Sequence, residues 1–225
     1  MKLFTAALLL FSLSSQAQNR NLAQFVTWRP KQGMEKQFEE GYKRHLEWHA
    51  AAGDTWGWYG WYFISGERAG QFMDATIQHA WSDFDHPVDP AGDRADNEKN
   101  TVPYADLQEV MKWQLITTLS NPHPDGLKAK YLKLITLEVR DVNRGNSQIK
   151  WYQRRKEDMA GIKFFYTFKA VDGGRIDRWY LLIGAESWAG LESASDAGDR
   201  LMDSTTFKSI SSETLVFRSD LSRFP

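Results

Sequence analysis

Two histidines one helical turn apart are the residues best placed to do chemistry. His45 and His49 lie in a segment over about residues 34–52 whose apolar positions recur with the period of an α-helix. At 100° per residue, Phe38, Tyr42 and the two histidines share one stripe. Both imidazoles can therefore reach one ion or one bound molecule. A buried imidazole can act as a base or as an axial or metal ligand.

The histidine pair leaves two interpretations open. The segment reads His-Leu-Glu-Trp-His and lacks the glutamate that directly follows the first histidine of a zinc-protease helix. No Cys/His metal cluster occurs in the sequence, so we assign no metal ligands. A functional pair and a structural pair, hydrogen-bonded to backbone or to tyrosine, explain the stripe equally well.

An acid and a third histidine lie on a predicted strand over residues 71–81. Asp74 can orient a histidine, and His79 can serve as a further ligand or as the acid/base. Either side chain needs a partner among buried rings, because an unpaired buried polar group is costly. Strict alternation places His79 and Trp81 on one face of this strand and Asp74 on the other.

The strand over residues 56–64 is aromatic on both faces, with Trp58 on one face and Trp61 on the other. A strand buried on both faces fits the middle of a barrel. Its glycines leave space beside large rings, where a flat ligand could enter. The candidate ligand-binding residues are Phe38, Tyr42, Trp58, Trp61 and Trp81.

The segment over residues 82–97 is rich in aspartate. Its carboxylates could bind calcium, but their spacing matches no EF-hand loop, so a solvated loop with helix-capping aspartates is the better interpretation. The sequence contains no Gly-rich phosphate loop and no nucleophile elbow. Kinase, dinucleotide-dependent dehydrogenase and serine-hydrolase functions therefore have no support.

Composition narrows the class of partner. With 28 basic and 29 acidic residues, the chain has no electrostatic reason to bind nucleic acid or an anionic membrane. It has ten tryptophans, and seven of them precede residue 125, as do all five histidines. Because aromatic side chains line ligand pockets, we expect a small apolar or aromatic molecule to bind in the first half of the chain.

The first 17 residues have the three parts of a secretory signal, with cleavage expected after Ala17. Their apolar run is too short to span a bilayer. The chain has no cysteine, which excludes disulfides and a lipid-anchored amino terminus. We therefore expect an exported protein, periplasmic or extracellular, that is soluble and stabilised by its core.

The predicted elements follow the order β-α-β-β-α-β twice, in units over residues 18–124 and 125–225. When Phe38 is set against Ile149, Lys156 and Ala160 of the second unit take the positions of the histidines. The histidine pair then belongs to the first unit alone. We predict an α+β fold, in which two tandem ferredoxin-like units pack sheet to sheet as one α/β barrel.

On this element order, the long first helix and the strand-turn-strand over residues 56–81, the chain resembles the dimeric α/β-barrel superfamily. That superfamily includes antibiotic-biosynthesis-type monooxygenases, haem-degrading monooxygenases, chlorite-dismutase-like proteins and NIPSNAP proteins. The resemblance implies a fold more than a function. It also implies a ligand held between a sheet and its own helices.

The leading expectation is an exported small-molecule-binding protein with an aromatic- and His-lined pocket in the first unit. One alternative, implied by the resemblance, is a cofactor-independent monooxygenase-like enzyme in which the histidines and Asp74 supply acid/base chemistry. A second is a haem-binding protein with His45 or His49 as axial ligand. A third is a structural or interaction protein without a ligand. The sequence names no cofactor and leaves the oligomeric state open.

Overall fold

The computed structural model describes residues 19–154, 159–201 and 203–225, without the side chains of residues 197 and 198. The predicted signal over residues 1–17 lies outside the described residues, as does Lys156 of the predicted repeat alignment. No helix in the described part of the chain is both long enough and apolar enough to cross a membrane.

Eight strands and five α-helices are found in the described part of the chain. The strands are β1 (Leu22–Pro30), β2 (Tyr59–Phe63), β3 (Phe72–His79), β4 (Ala105–Leu115), β5 (Tyr131–Val139), β6 (Ile162–Asp172), β7 (Arg178–Ala185) and β8 (Phe207–Phe217). The helices are α1 (Glu35–Ala51), α2 (Pro90–Asn100), α3 (Val142–Arg154), α4 (Trp188–Glu192) and α5 (Ala197–Leu201).

The eight strands form one closed antiparallel barrel in the order β1-β3-β2-β8-β5-β7-β6-β4. The first four strands adjoin as β4-β1-β3-β2 and the last four as β8-β5-β7-β6, which is the same permutation. Pairing of β2 with β8 and of β4 with β6 closes the barrel. The predicted fold, two ferredoxin-like units packed as one barrel, is confirmed. The exact boundary between the units, after residue 124, stays a prediction.

Large side chains fill the barrel interior. Trp113 is fully buried there, with its ring stacked on Phe25 and on Tyr180 at 3.8 Å between centroids in each case. Tyr59 and Trp61 stack on each other in the same core. Because these rings occupy the space between the two half-sheets, a ligand site has to be sought outside the barrel.

Helix α1 packs on the outer face of the first half-sheet. Gly33 at φ +77° precedes the helix and Gly53 at φ +74° follows it, and glycine is the residue that adopts such angles without strain. The helix agrees with the prediction over residues 34–52 to within a residue at each end. Its buried residues are Phe38, Gly41, Tyr42, His45, Leu46 and His49.

Helix α2 lies against α1 at very short range. A Cβ atom on Gly41 would overlap the backbone carbonyl oxygen of Asn100, so the two helices could not approach as they do with any larger residue at position 41. Asp89 caps the amino end of α2 by accepting a hydrogen bond from the Gly92 amide at 3.1 Å. The close approach at Gly41 places the acidic face of α2 beside the histidines of α1.

Strand alternation holds for β2 and fails at the end of β3. Tyr59 and Trp61 face the barrel interior, whereas Trp58 packs on the α1 side. In β3 the pairing with β1 shifts beside Gln78, whose φ is +66°. The predicted alternation is wrong beyond this bulge, because the extra residue turns His79 to the face of Thr76.

Candidate functional site

A cavity of about 410 Å³ lies between the outer face of the first half-sheet and helices α1 and α2. An adjoining cavity of about 280 Å³ shares part of its wall and extends towards the loop before α2. Residues common to the two are Gln24, His49, Trp58 and Asp93. Space therefore exists where the resemblance implied a ligand, between a sheet and its own helices.

The two histidines face each other in the wall of this cavity. The Nε2 atoms of His45 and His49 lie 3.2 Å apart. The side chains are buried, with 6% and 5% of their surfaces exposed. The ring of Trp58 lies 4.7 Å from that of His49 and forms the adjacent aromatic wall.

A carboxylate stands behind each imidazole. Asp96 Oδ2 lies 2.8 Å from His45 Nδ1, and Asp54 Oδ2 lies 2.9 Å from His49 Nδ1, at ion-pair distance although not in good hydrogen-bonding geometry. Asp54 is held by Trp58, whose Nε1 donates to Oδ2 at 2.9 Å. Since a bare nitrogen facing a carboxylate is repulsive, these contacts favour the proton on Nδ1 of each ring.

A third carboxylate, that of Asp93, faces the Nε2 atoms. Asp93 Oδ1 lies 3.4 Å from Nε2 of His45 and 3.8 Å from Nε2 of His49. The Asn97 amide donates to Asp93 Oδ1 at 3.2 Å and lies 3.1 Å from His45 Nε2. Thr101 Oγ1 donates to Asn97 Oδ1 at 2.8 Å, which fixes the orientation of that amide. The arrangement brings two imidazole nitrogens and one carboxylate oxygen to a common point.

Burial shifts the pKa values of His49 and Asp93. Desolvation, aided by the neighbouring His45, lowers the pKa of His49 to about 4, even though the carboxylate of Asp54 acts to raise it. Desolvation also raises the pKa of Asp93, while His45 acts to lower it. His49 is therefore neutral near pH 7, the form in which an imidazole acts as a base or binds a cation.

Asp74 forms a second buried acid in the cavity. Trp28 Nε1 donates to its Oδ2 at 2.9 Å, and the Tyr42 hydroxyl also bonds to its carboxyl group. Desolvation raises the pKa of Asp74 to about 7 in spite of these hydrogen bonds. A carboxyl group that exchanges its proton near neutrality can serve as a general acid or base.

Three of the aromatic candidates lie outside the cavity. Phe38 is fully buried between α1 and the sheet, with its ring 5.5 Å from that of Phe72, and does not line the cavity. Trp61 is in the barrel core, so it faces away from α1. Trp81 begins a short 3₁₀ helix and is 54% exposed, because the strand ends at residue 79 rather than 81. Of the aromatic candidates, Tyr42 and Trp58 line the cavity.

His79 is separated from the histidine pair. Its Nε2 lies 2.6 Å from Thr76 Oγ1, its Nδ1 lies 3.4 Å from Asp83 Oδ2, and its ring lies 4.1 Å from that of Trp56. It lines a different, more open surface cavity that also includes Arg20. The bulge at Gln78 is what removes His79 from the predicted face.

Sequence reasoning missed the acidic half of the site. Asp93, Asp96 and Asn97 fall at i, i+3 and i+4 on α2, a spacing that puts them on one face of a helix. That helical spacing is the available signal, because the sequence predicts a helix within residues 91–107, but the aspartates are interpreted as part of a solvated loop over residues 82–97. Asp54 follows the glycine that ends α1, where no periodicity marks it.

A further cavity lies at one end of the barrel. It has a volume of about 390 Å³ and is lined by Arg68, Glu138 and Glu213 among others. Several of its charges are paired, since Arg68 binds Glu213 and the adjoining Arg175 binds Glu138. It lacks the imidazoles and indoles that line the cavity beside α1.

Comparison with known proteins supports the fold. No family model and no curated protein sequence matches the chain. Among solved structures, a candidate monooxygenase from Lactobacillus acidophilus NCFM superposes with a TM-score of 0.62 at 10% identity, over 91% of this chain and 96% of that one. An anthrone oxidase-like protein superposes with a TM-score of 0.59 at 10% identity, over 91% and 93% of the two chains.

A mutant chlorite dismutase from Candidatus Nitrospira defluvii superposes with a TM-score of 0.63 at 7% identity, over 90% of this chain and 93% of that one. The solved structures that resemble the chain thus have the dimeric α+β-barrel architecture. At these identities the likeness shows the fold alone. The predicted resemblance to NIPSNAP proteins stays a prediction.

Proposed function

We propose that the protein binds a small aromatic or largely apolar molecule in the cavity between the first half-sheet and helices α1 and α2, and that it does so after export. The observation that carries this proposal is the composition of the cavity wall. The buried indole of Trp28 and the half-buried indole of Trp58 meet the buried side chains of His45, His49 and Asp74 in one concave space, which is the usual make-up of a small-molecule site.

The wall divides into two parts with different roles. Trp28 and Trp58 supply flat apolar surface, and Val26 and Val110 extend it. The histidine pair and Asp74 supply a few fixed polar groups, which orient a ligand. This division favours a flat molecule that carries at least one hydroxyl or carbonyl oxygen.

Catalysis on such a molecule is the second candidate function. Asp74, with a pKa of about 7, can accept a proton from an acidic hydroxyl or methylene group of an aromatic substrate. The resulting anion would be the species that reacts with molecular oxygen in a cofactor-independent monooxygenase-like reaction. The likeness to a candidate monooxygenase and to an anthrone oxidase-like protein is compatible with this chemistry.

Haem is the cofactor implied by the likeness to chlorite dismutase, and these residues do not offer it a free axial ligand. His45 Nε2 is surrounded by His49 Nε2 at 3.2 Å, the Asn97 amide at 3.1 Å and Asp93 Oδ1 at 3.4 Å. An axial imidazole needs an unobstructed nitrogen facing the iron. The cluster therefore supports a small cation better than a porphyrin.

Binding is tested by titrating the mature protein with 1-naphthol while tryptophan emission is recorded. Trp58→Ala is expected to weaken binding by about 10-fold or more, because loss of an aromatic contact face costs about 1.4 kcal/mol. Trp81→Ala is the matched control, since Trp81 is exposed and does not line the cavity. Unchanged affinity in a folded Trp58→Ala variant would contradict the proposed site.

The two candidate functions are separated by oxygen consumption. Anthrone is supplied as the substrate, and uptake of oxygen by the wild type but not by Asp74→Asn would support catalysis. Binding of 1-naphthol without oxygen uptake would leave a binding protein. A haem titration followed by visible absorption, with His45→Ala beside the wild type, tests the haem alternative directly.

A further inference from the structure

The donor atoms of His45, His49 and Asp93 face one point. The two Nε2 atoms lie 3.2 Å apart, and Asp93 Oδ1 lies 3.4 Å and 3.8 Å from them. Ligand atoms about 2.1 Å from a tetrahedral zinc ion are about 3.4 Å from one another. The three separations therefore match three corners of a tetrahedron around an ion of that size.

We propose that His45, His49 and Asp93 bind a divalent first-row metal ion of the zinc type, with its fourth coordination position open to the cavity. Two imidazoles and one carboxylate form a donor set that catalytic zinc sites use.

The protonation pattern of the imidazoles supports this assignment. Each Nδ1 faces a carboxylate, that of Asp96 or Asp54, which favours a proton on Nδ1 and a lone pair on Nε2 in both rings. In this tautomer the two Nε2 lone pairs lie 3.2 Å apart with a carboxylate oxygen beside them. The Asn97 amide, 3.1 Å from His45 Nε2, offsets part of their repulsion, and a cation between the donor atoms would offset the rest. The described contacts of His49 Nε2 include no amide or hydroxyl donor that would relieve this repulsion.

The groups behind the imidazoles are those that tune a metal site. Metal-binding histidines usually direct the second ring nitrogen to a carboxylate or a carbonyl, which fixes the tautomer and the ring orientation. Asp54 is itself fixed by the Trp58 indole and by the Trp56 amide, at 2.9 Å in each case. Asp96 accepts a hydrogen bond from the Asn100 amide at 2.8 Å. These carboxylates are positioning residues, not ligands.

The open position gives the ion a part in the function proposed above. The three donor residues all line the 410 Å³ cavity, so a water molecule or an oxygen atom of the bound molecule can complete the coordination. The inference rests on the proposed function only for this fourth ligand. A hydroxylated or carbonyl-bearing aromatic is the class of molecule that would use both the ion and the indole wall.

The test uses the full mature protein, freed of metal by chelation and dialysis. Zn²⁺ binding is measured by isothermal titration calorimetry, and Co²⁺ binding by visible absorption, since a four-coordinate Co²⁺ ion gives much stronger bands than a six-coordinate one. We expect one ion per chain. His45→Ala, His49→Ala and Asp93→Asn are each expected to weaken binding by more than about 100-fold, since each removes one of only three protein ligands.

Graded variants separate positioning from ligation. Asp96→Asn and Asp54→Asn are expected to weaken Zn²⁺ binding by about 10- to 100-fold, the loss typical of groups that orient metal-bound histidines. His86→Ala and Asp85→Asn are matched controls, because both residues are exposed. Both controls are expected to bind Zn²⁺ as the wild type does, with circular dichroism confirming that every variant is folded.

Two results would overturn the inference. The first is a folded wild type that takes up no Zn²⁺ or Co²⁺ at one ion per chain. The second is one-to-one binding that survives His45→Ala and Asp93→Asn. Weak Co²⁺ bands of a six-coordinate ion would overturn the assignment to a zinc-type ion.

Failure of the metal site and failure of the proposed function have different signatures. Suppose that the protein binds 1-naphthol equally well with and without Zn²⁺ and takes up no ion. The proposed function would then stand, and the metal site would be rejected. One-to-one Zn²⁺ binding lost in the His45→Ala variant, without any binding of 1-naphthol, would leave the metal site and contradict the proposed function.

Discussion

Replacing Asp74 by asparagine is expected to stabilise the protein at neutral and alkaline pH. Asp74 is 4% exposed and has a pKa of about 7 in the fold, compared with an ordinary value of 3.8. At a pH between these two pKa values, Asp74 therefore keeps its proton in the folded protein but has lost it in the unfolded chain. The free energy of unfolding consequently falls as pH rises from about 4 to about 7.

The size of the effect follows from the difference between the two pKa values. At about 1.36 kcal/mol per pKa unit, it amounts to about 4 kcal/mol once Asp74 is fully ionised. Asparagine has nearly the same shape and carries no charge. Its oxygen can accept the Trp28 hydrogen bond, and its amide can donate to the Tyr42 hydroxyl.

The assay is urea unfolding of the wild type and of Asp74→Asn at about pH 4, pH 6 and pH 8, followed by tryptophan emission. The two proteins should be similar at about pH 4, and the variant should be more stable by up to about 4 kcal/mol at about pH 8. Asp85→Asn, at an exposed position, should show no such divergence. A difference between wild type and Asp74→Asn that does not change with pH would refute the argument.

Two variants test the packing that positions the site, one in the barrel core and one between helices α1 and α2. Trp113→Ala should lower the free energy of unfolding by about 3–5 kcal/mol, because it empties the stack with Phe25 and Tyr180, and 1-naphthol affinity should be kept if the protein folds. Gly41→Ala should lower the free energy of unfolding by about 1–3 kcal/mol, because the added methyl group would overlap the Asn100 carbonyl oxygen. It should also weaken Zn²⁺ binding, because it moves α2 away from α1. Thermal melting with parallel titrations checks both, and unchanged melting of Gly41→Ala would show that the two helices are not in close contact.

Elements with a strong local period could be predicted from the sequence. The stripe of Phe38, Tyr42, His45 and His49 fixed both the helix and the face that it buries. The aromatic alternation of β2 likewise agreed with the structure, with Trp58 and Trp61 on opposite faces. Repetition of the element order then predicted the barrel, because two half-sheets with one bare face each can cover each other.

Features that depend on irregular backbone could not be predicted in this way. A bulge at Gln78 leaves no mark in the pattern of residue types, yet it changes the face of His79. The sequence predicts a helix over residues 147–161, whereas α3 begins at Val142, because Asp141 accepts a hydrogen bond from the Arg144 amide and starts the helix there. The sequence also predicts a final strand over residues 213–218, whereas β8 begins at Phe207.

The candidate site was half predictable for a related reason. His45 and His49 are neighbours on one helix, so their spacing shows that they can act together. Asp93 comes from a different helix and meets them only because Gly41 lets α2 approach α1. Sequence separation hides a contact of this kind, and α2 has few apolar residues to reveal its helical period.

A crystal structure of the mature protein with 1-naphthol and Zn²⁺ tests the central claim most directly. The account predicts the ring against Trp58, between the first half-sheet and helices α1 and α2, and the ion between His45, His49 and Asp93. A ligand bound instead in the barrel-end cavity beside Arg68 and Glu213, or an ion bound away from the two histidines, would contradict it.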